Sequence, residues 1–293
     1  MRIDVPESSY SQGNVTYTRP GYVIECQKDL TKINYGFYES VVIMVQTAKD
    51  GNWPVSNIHL ITQAEAHAIE KSYLSKGMDP LEAPEFADYF KRIWEWTLTG
   101  LRVPEGLDPV KSEKRKGEDG YIRHVFETDV AEAALRLNAG ETWKDIGDSC
   151  NRVLYDRWFS TGEGRVVTKW NDFDGLPEET ADIPYPHEGH YAHWHLNTNP
   201  GKDGISGHYD VAVKRRGYWH YGVVGGCLNV TADYERLYAY SHDGFRQAVR
   251  GSVPEIKTQG HFLDVYANSF RKYPGSRNPE KVLDDACRDM KEK

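Results

Sequence analysis

The apolar positions of the first hundred residues change period more than once. Residues 22–26 and 40–45 (Ser-Val-Val-Ile-Met-Val) are β-branched runs and predict strands. Thr62-Gln-Ala-Glu65 has the spacing of a capping box and predicts a helix ending near Gly77. Pro84 then opens a second predicted helix. Phe86, Phe90, Ile93 and Thr97 form its apolar face, Tyr89 and Trp94 widen that face, and Gly100 caps its end.

Periodicity lapses over 104–120, where Pro104, Gly106, Pro109, Gly117 and Gly120 sit among mixed charges. This stretch predicts a linker between an accessory domain, 1–103, and a second domain, 121–293. The second domain opens with a helix capped by Asp129. Glu132 lies three residues on, Val130, Ala133, Ala134 and Leu137 share a face, and Gly140 stops it. A further helix is expected from Cys150, with Val153, Leu154 and Trp158 on one side and Gly162 and Gly164 at its end. Residues 209–214 alternate, 215–217 read as a turn, and 218–224 and 228–231 read as returning strands. Helices followed by antiparallel strands predict an α+β fold, here preceded by a mixed α/β accessory domain. A short helix is expected at 279–290.

Composition excludes several classes. Of the 293 residues, 39% are hydrophobic and 27% charged, which suits a folded globular chain. No apolar run approaches the ~18 residues of a membrane span. The net charge of −8 leaves no broad footprint for nucleic acid. Residues 1–7 lack a basic stretch followed by an apolar one, so the expectation is synthesis in the cytoplasm without a signal peptide. The four cysteines form no Cys-x-x-Cys pair, which argues against a disulfide framework or a zinc knuckle.

Three positions carry candidate chemistry: Cys150, His208 and His220. A cysteine at a helix N-terminus has its thiolate favoured by the helix dipole and by unpaired N–H groups. His208 opens one predicted strand after Gly207, and His220 lies in the returning strand. One imidazole would serve as base and the other would fix its tautomer.

The run Gly147-Asp-Ser-Cys150, then Pro186-His-Glu-Gly189-His190, then Gly207-His208 through His220, resembles the NlpC-type papain-like cell-wall cysteine peptidases. The likeness spans about 125–245, and the related CHAP amidases share the Cys-then-His order. The resemblance implies a papain-like core, with a nucleophile-bearing helix packed on an antiparallel sheet. It implies Cys150 as nucleophile, His208 as general base and His220 as orienting residue. The implied reaction is thioester-mediated cleavage of amide bonds in peptidoglycan stem peptides, without a cofactor. Trp143, Trp194, Tyr218 and Trp219 would line a substrate groove. Export would be by lysis, a phage tail or contact-dependent secretion, and residues 1–103 would meet a delivery or immunity partner.

Two other readings stand beside it. Residues 187–195 hold four histidines, and His190, His193 and His195 offer imidazoles for a metal-dependent hydrolase. The third reading is a non-catalytic phage or structural binding protein with a decayed hydrolase domain.

Overall fold

The computed structural model describes residues 2–26, 31–32, 58–76, 94–104, 113–115, 118–141, 146–160, 165–181, 193–196, 210–216, 230–235 and 243–250, with Phe37, Ser40, Val41 and Met44. Among these, strands far outnumber helices. In chain order they are β1 (Arg2–Val5), β2 (Ser8–Gln12), β3 (Val15–Arg19), β4 (Tyr22–Cys26), β5 (Thr31–Lys32), β6 (Ile58–Leu60), helix α1 (Gln63–Leu74), β7 (Trp94–Arg102), β8 (Glu113–Arg115) and β9 (Glu118–Thr128). Helix α2 (Val130–Asn138) and a 3-10 turn (Gly147–Cys150) follow. Then come β10 (Asn151–Ser160), β11 (Arg165–Trp170), β12 (Pro177–Ala181), β13 (His193–Leu196), β14 (Asp210–Arg216), β15 (Val230–Glu235), β16 (Asp243–Phe245) and β17 (Gln247–Arg250).

One large sheet has the order β10-β9-β7-β14-β15-β13-β11-β12, with β5, β8 and β16 attached at its sides. It curls so far that β12 returns beside β10. Ser160 Oγ and Thr180 Oγ1 lie 2.6 Å apart, Arg157 donates to the Pro177 carbonyl, and the Phe159 and Trp194 rings meet across the interior at 5.4 Å. The result is a barrel-like wrap around a core of Leu101, Val125, Phe159, Trp194, Val213 and Val230, with their neighbours. Alternation explains the core. On β10, Tyr155, Arg157 and Phe159 point inward, and on β9 so do Tyr121, Arg123 and Val125.

A second sheet, β1-β4-β17-β6, packs on α1 through Ile3, Val5, Ile24, Ile69 and Ala248. The hairpin β2–β3 stands apart from both sheets in its pairing. Pairing runs across the expected linker at 104–120. β7 joins β9 and β14, β17 joins β4 and β6, and β8 within that span pairs with β9.

The α+β, papain-like expectation is therefore corrected. No helix carries Cys150: it closes the 3-10 turn, and β10 begins at the next residue and pairs with β9 over its whole length. The Val153, Leu154 and Trp158 spacing that suggested a helix belongs to a bulged strand, with the register shifting between Val153 and Tyr155. Residues 94–102, expected as the end of a helix, form β7. Trp94, Trp96 and Leu98 alternate with Glu95, Thr97 and Thr99 as a strand requires, and burial of the second set as well shows that both faces are covered. The run 40–45, expected as a strand, is helical at Ser40, Val41 and Met44. The expected strands at 218–224 and the tail helix at 279–290 lie outside the described residues.

Candidate functional site

Helix α1 seats itself by its first turn. The Thr62 hydroxyl accepts from the Glu65 N–H at 3.2 Å, and Glu65 accepts from the Thr62 N–H at 2.9 Å, a complete capping box. Gln63 then ties the helix to the barrel. Its N–H donates to Thr99 Oγ1 on β7 at 3.0 Å, and its amide donates to the Gly175 carbonyl at 3.1 Å. Gly175 has φ of 70°, and a Cβ there would strike the Gln63 carbonyl, so this close approach requires glycine.

Between the α1 N-terminus, β3, the β9–β10 ladder and the turn after β11 lies a cleft of about 370 Å³. Aromatic rings make one wall. Tyr10, Tyr17 and Phe173 each bring a ring centroid to 5.3 Å from that of Tyr155. Tyr155 donates its hydroxyl to Asp174 at 2.6 Å, and Arg157 pairs with the same carboxylate. Burial and the Asp174 charge push the Tyr155 phenol well up, so it stays protonated.

Glu65 organises the opposite wall. Its carboxylate is fully buried and accepts from His59 Nε2 (2.8 Å), Tyr22 Oη (2.9 Å) and Arg250 Nε (3.0 Å), besides the capping N–H. Burial works to raise its pKa, but His59, Arg250 and the Thr62 N–H outweigh it and hold the carboxyl down to about 2. Arg250 also stacks on the Tyr22 ring at 4.4 Å. Every Glu65 oxygen is engaged, so Glu65 is an anchor rather than a reactant.

Glu127 is the contrasting carboxyl. It lies on β9, directly opposite Thr99 on one side and Arg152 on the other, and it lines the cleft. Its side chain makes no hydrogen bond with any described residue. Burial raises its carboxyl above the usual range, opposed by Arg250 and seconded by the Glu65 charge. The two acids are thus driven apart, Glu65 downward and Glu127 upward. The remaining charges at the rim are Arg19 and Arg152. Arg250 and Asp174 are each met by an opposite charge, from Glu65 and Arg157.

The residues expected from sequence fall differently. Cys150 is 3% exposed, and its nearest polar partners are Arg136, 3.9 Å from Sγ, and the neighbouring Ser149. Burial pushes the thiol up, against the pull of Arg136, which is the opposite of an activated thiolate. Cys150 is accordingly expected to react with iodoacetamide at neutral pH far more slowly than a free model thiol. Labelling followed by peptide mass spectrometry checks this, and fast labelling would restore it as a nucleophile.

His208, His220, His190, Trp143, Tyr218 and Trp219 lie outside the described residues. Trp194 is wholly buried in the barrel core. His193 and His195 occupy β13 at the positions alternating with the buried Trp194 and Leu196. Among the described residues, no three His, Cys, Asp or Glu side chains converge on a common point. No described helix is long and apolar enough to cross a membrane.

Sequence reasoning missed Glu127. Its signal was phase: read as a strand, 118–128 puts Glu127 in register with the buried Tyr121 and Val125, an acid where an apolar residue belongs. No family model, curated protein or solved structure matches the chain.

Proposed function

We propose that the protein binds a small anionic ring compound, a sugar bearing a carboxylate or phosphate, in the cleft at the mouth of the barrel. The observation that carries this reading is Glu127, a cleft-lining carboxyl that makes no hydrogen bond with any described residue and is raised in pKa by burial. A protonated carboxylic acid offers a ligand a strong O–H donor that an ionised one cannot. Half-buried Tyr17 and Phe173 give a ring face to stack on, and Arg19 and Arg152 supply the positive charge. The mouth of a β-barrel is a common seat for such ligands. Peptidoglycan, the substrate implied by the resemblance, is itself a glycan with carboxylates, so soluble muropeptides belong among the ligands tested.

The test is titration calorimetry with glucuronate, glucose 6-phosphate, a muropeptide and neutral glucose. Anionic sugars are expected to bind and glucose to bind at least tenfold more weakly. Ionising Glu127 turns a donor into a repelling charge, so affinity falls as pH rises through its raised pKa, toward about tenfold per unit beyond it. Glu127→Gln keeps a donor and is expected to bind without that dependence. Equal binding of glucose, or no binding of any of the four, overturns the proposal.

A further inference from the structure

Two arginines stand side by side on the inner face of the barrel, and among the described residues only one of them meets a carboxylate. Arg123 on β9 and Arg157 on β10 are directly paired in the ladder, and both point inward with Tyr121, Tyr155 and Phe159. They are 4% and 3% exposed. Arg157 is met by Asp174 and by the Pro177 carbonyl. Among the described residues no carboxylate meets Arg123. Its Nη1 donates to the Ile122 carbonyl at 2.9 Å, its guanidinium lies 4.8 Å from the centre of the Tyr121 ring, and its Nη2 is buried with no acceptor. Burial pulls the Arg123 pKa down to about 10, which still leaves the group charged at neutral pH. Glu127 is four residues along the same strand, about 13 Å away by strand geometry, and does not serve it.

A second donor stands in the same lining. Trp194 Nε1 is fully buried and also has no acceptor. The Trp194 ring packs on Phe159, which is paired directly with Tyr121, the residue under Arg123. The interior thus combines one uncompensated positive charge with two unused N–H donors. A buried ion without a counter-ion costs several kcal/mol, and unused buried donors add to that cost. A negatively charged occupant beside Arg123 would answer the charge.

We propose that the barrel interior binds one small inorganic anion, a halide or a compact oxyanion, on the Arg123 guanidinium with Trp194 Nε1 as a further donor. Neither Arg123 nor Trp194 lines the cleft. An anion that binds only the folded state stabilises it by mass action, in an amount set by its concentration over its dissociation constant.

The experiment is thermal unfolding of the full chain at fixed ionic strength, replacing sodium gluconate stepwise with chloride, bromide or phosphate. Gluconate, a bulkier organic anion, serves as the baseline. Wild type is expected to gain several degrees in chloride and bromide or in phosphate, and which series responds tells halide from oxyanion. Arg123→Met is expected to show no response and, in gluconate, to be at least as stable as wild type, because the uncompensated charge is gone. Trp194→Phe keeps the ring and is expected to weaken the response. Chloride-35 line broadening on folded wild type, lost on denaturation, gives the same reading without any variant. No ion-specific gain in wild type overturns the proposal. So does an equal gain in Arg123→Met, which would place the anion elsewhere, the cleft arginines included.

Discussion

Replacing Glu65 by Gln is expected to cost about 3 kcal/mol at pH 7 and to remove much of the protein's sensitivity to acid. Glu65 joins four pieces of chain. It accepts from the Thr62 N–H of its own helix, from His59 in the middle of β6, from Tyr22 on β4 and from Arg250 on β17. An amide keeps the shape but presents an NH₂ to donors, so at least one buried N–H or O–H loses its acceptor. The ionic part follows from linkage. The carboxyl sits at about 2 in the folded protein, against an ordinary value of 4.5. A depressed carboxylate contributes stability that is fully present above the unfolded value. That contribution is lost as pH falls from about 4.5 toward 2. Glu127 has the opposite sign. Its raised carboxyl costs stability once it ionises and returns it on protonation, so the two acids partly oppose each other below neutrality. Urea unfolding of both proteins at pH 7 and pH 3 checks this. The gap between wild type and Glu65→Gln should be wide at pH 7 and should narrow at pH 3. A gap of constant width would show that the carboxylate charge plays no part.

Local signals in the sequence located what is locally held. The capping box at Thr62 and Glu65 starts α1 where the pattern predicts, and Asp129 caps α2 by accepting from the Glu132 N–H at 3.0 Å. Strand β4 coincides with its β-branched run, and β14 covers the alternating stretch from 210. Residues 94–102 and 151–160 were misread because their burial is set by distant partners. β7 is covered on both faces by strands and helix that come from elsewhere in the chain, and β10 takes its phase from β9 across a bulge. The same reason hides the site. Glu65 is legible as a capping residue, but its hold on Tyr22 and Arg250 spans 43 and 185 residues. Glu127 and Arg123 become noticeable only once 118–128 is known to be a strand with one face buried. Cys150 attracted attention as a helix-capping cysteine. Without the helix, its surroundings raise its thiol pKa.

Breaking the Glu70–Arg215 pair is expected to destabilise the protein by about 3–5 kcal/mol, because either single change strands a buried charge. Arg215 on β14 is completely buried. It donates through Nε to Glu70 Oε1 at 2.6 Å and through Nη2 to Oε2, a bidentate grip on α1. Its Nη1 reaches the Gly175 carbonyl at 3.1 Å, and its guanidinium lies 4.9 Å from the centre of the Trp170 ring. One side chain therefore pins the middle of α1 and the turn after β11 to the centre of the large sheet. Those two elements carry Thr62 and Asp174 into opposite sides of the cleft. Loss of the pair should loosen the cleft as well as the fold, so ligand affinity should fall even where the variant remains folded. Glu70→Ala leaves the guanidinium without a counter-ion. Arg215→Met leaves the carboxylate without its guanidinium, and it also removes the Arg215 charge, one of the two influences that hold the neighbouring His67 imidazole neutral. Removing both partners together, Glu70→Leu with Arg215→Met, strands neither charge and should cost less than the two single changes added, with a coupling of at least about 2 kcal/mol. A double-mutant cycle by denaturant unfolding measures that coupling. Additive losses would mean that the pair is a contact of convenience and that α1 is held by its other ties.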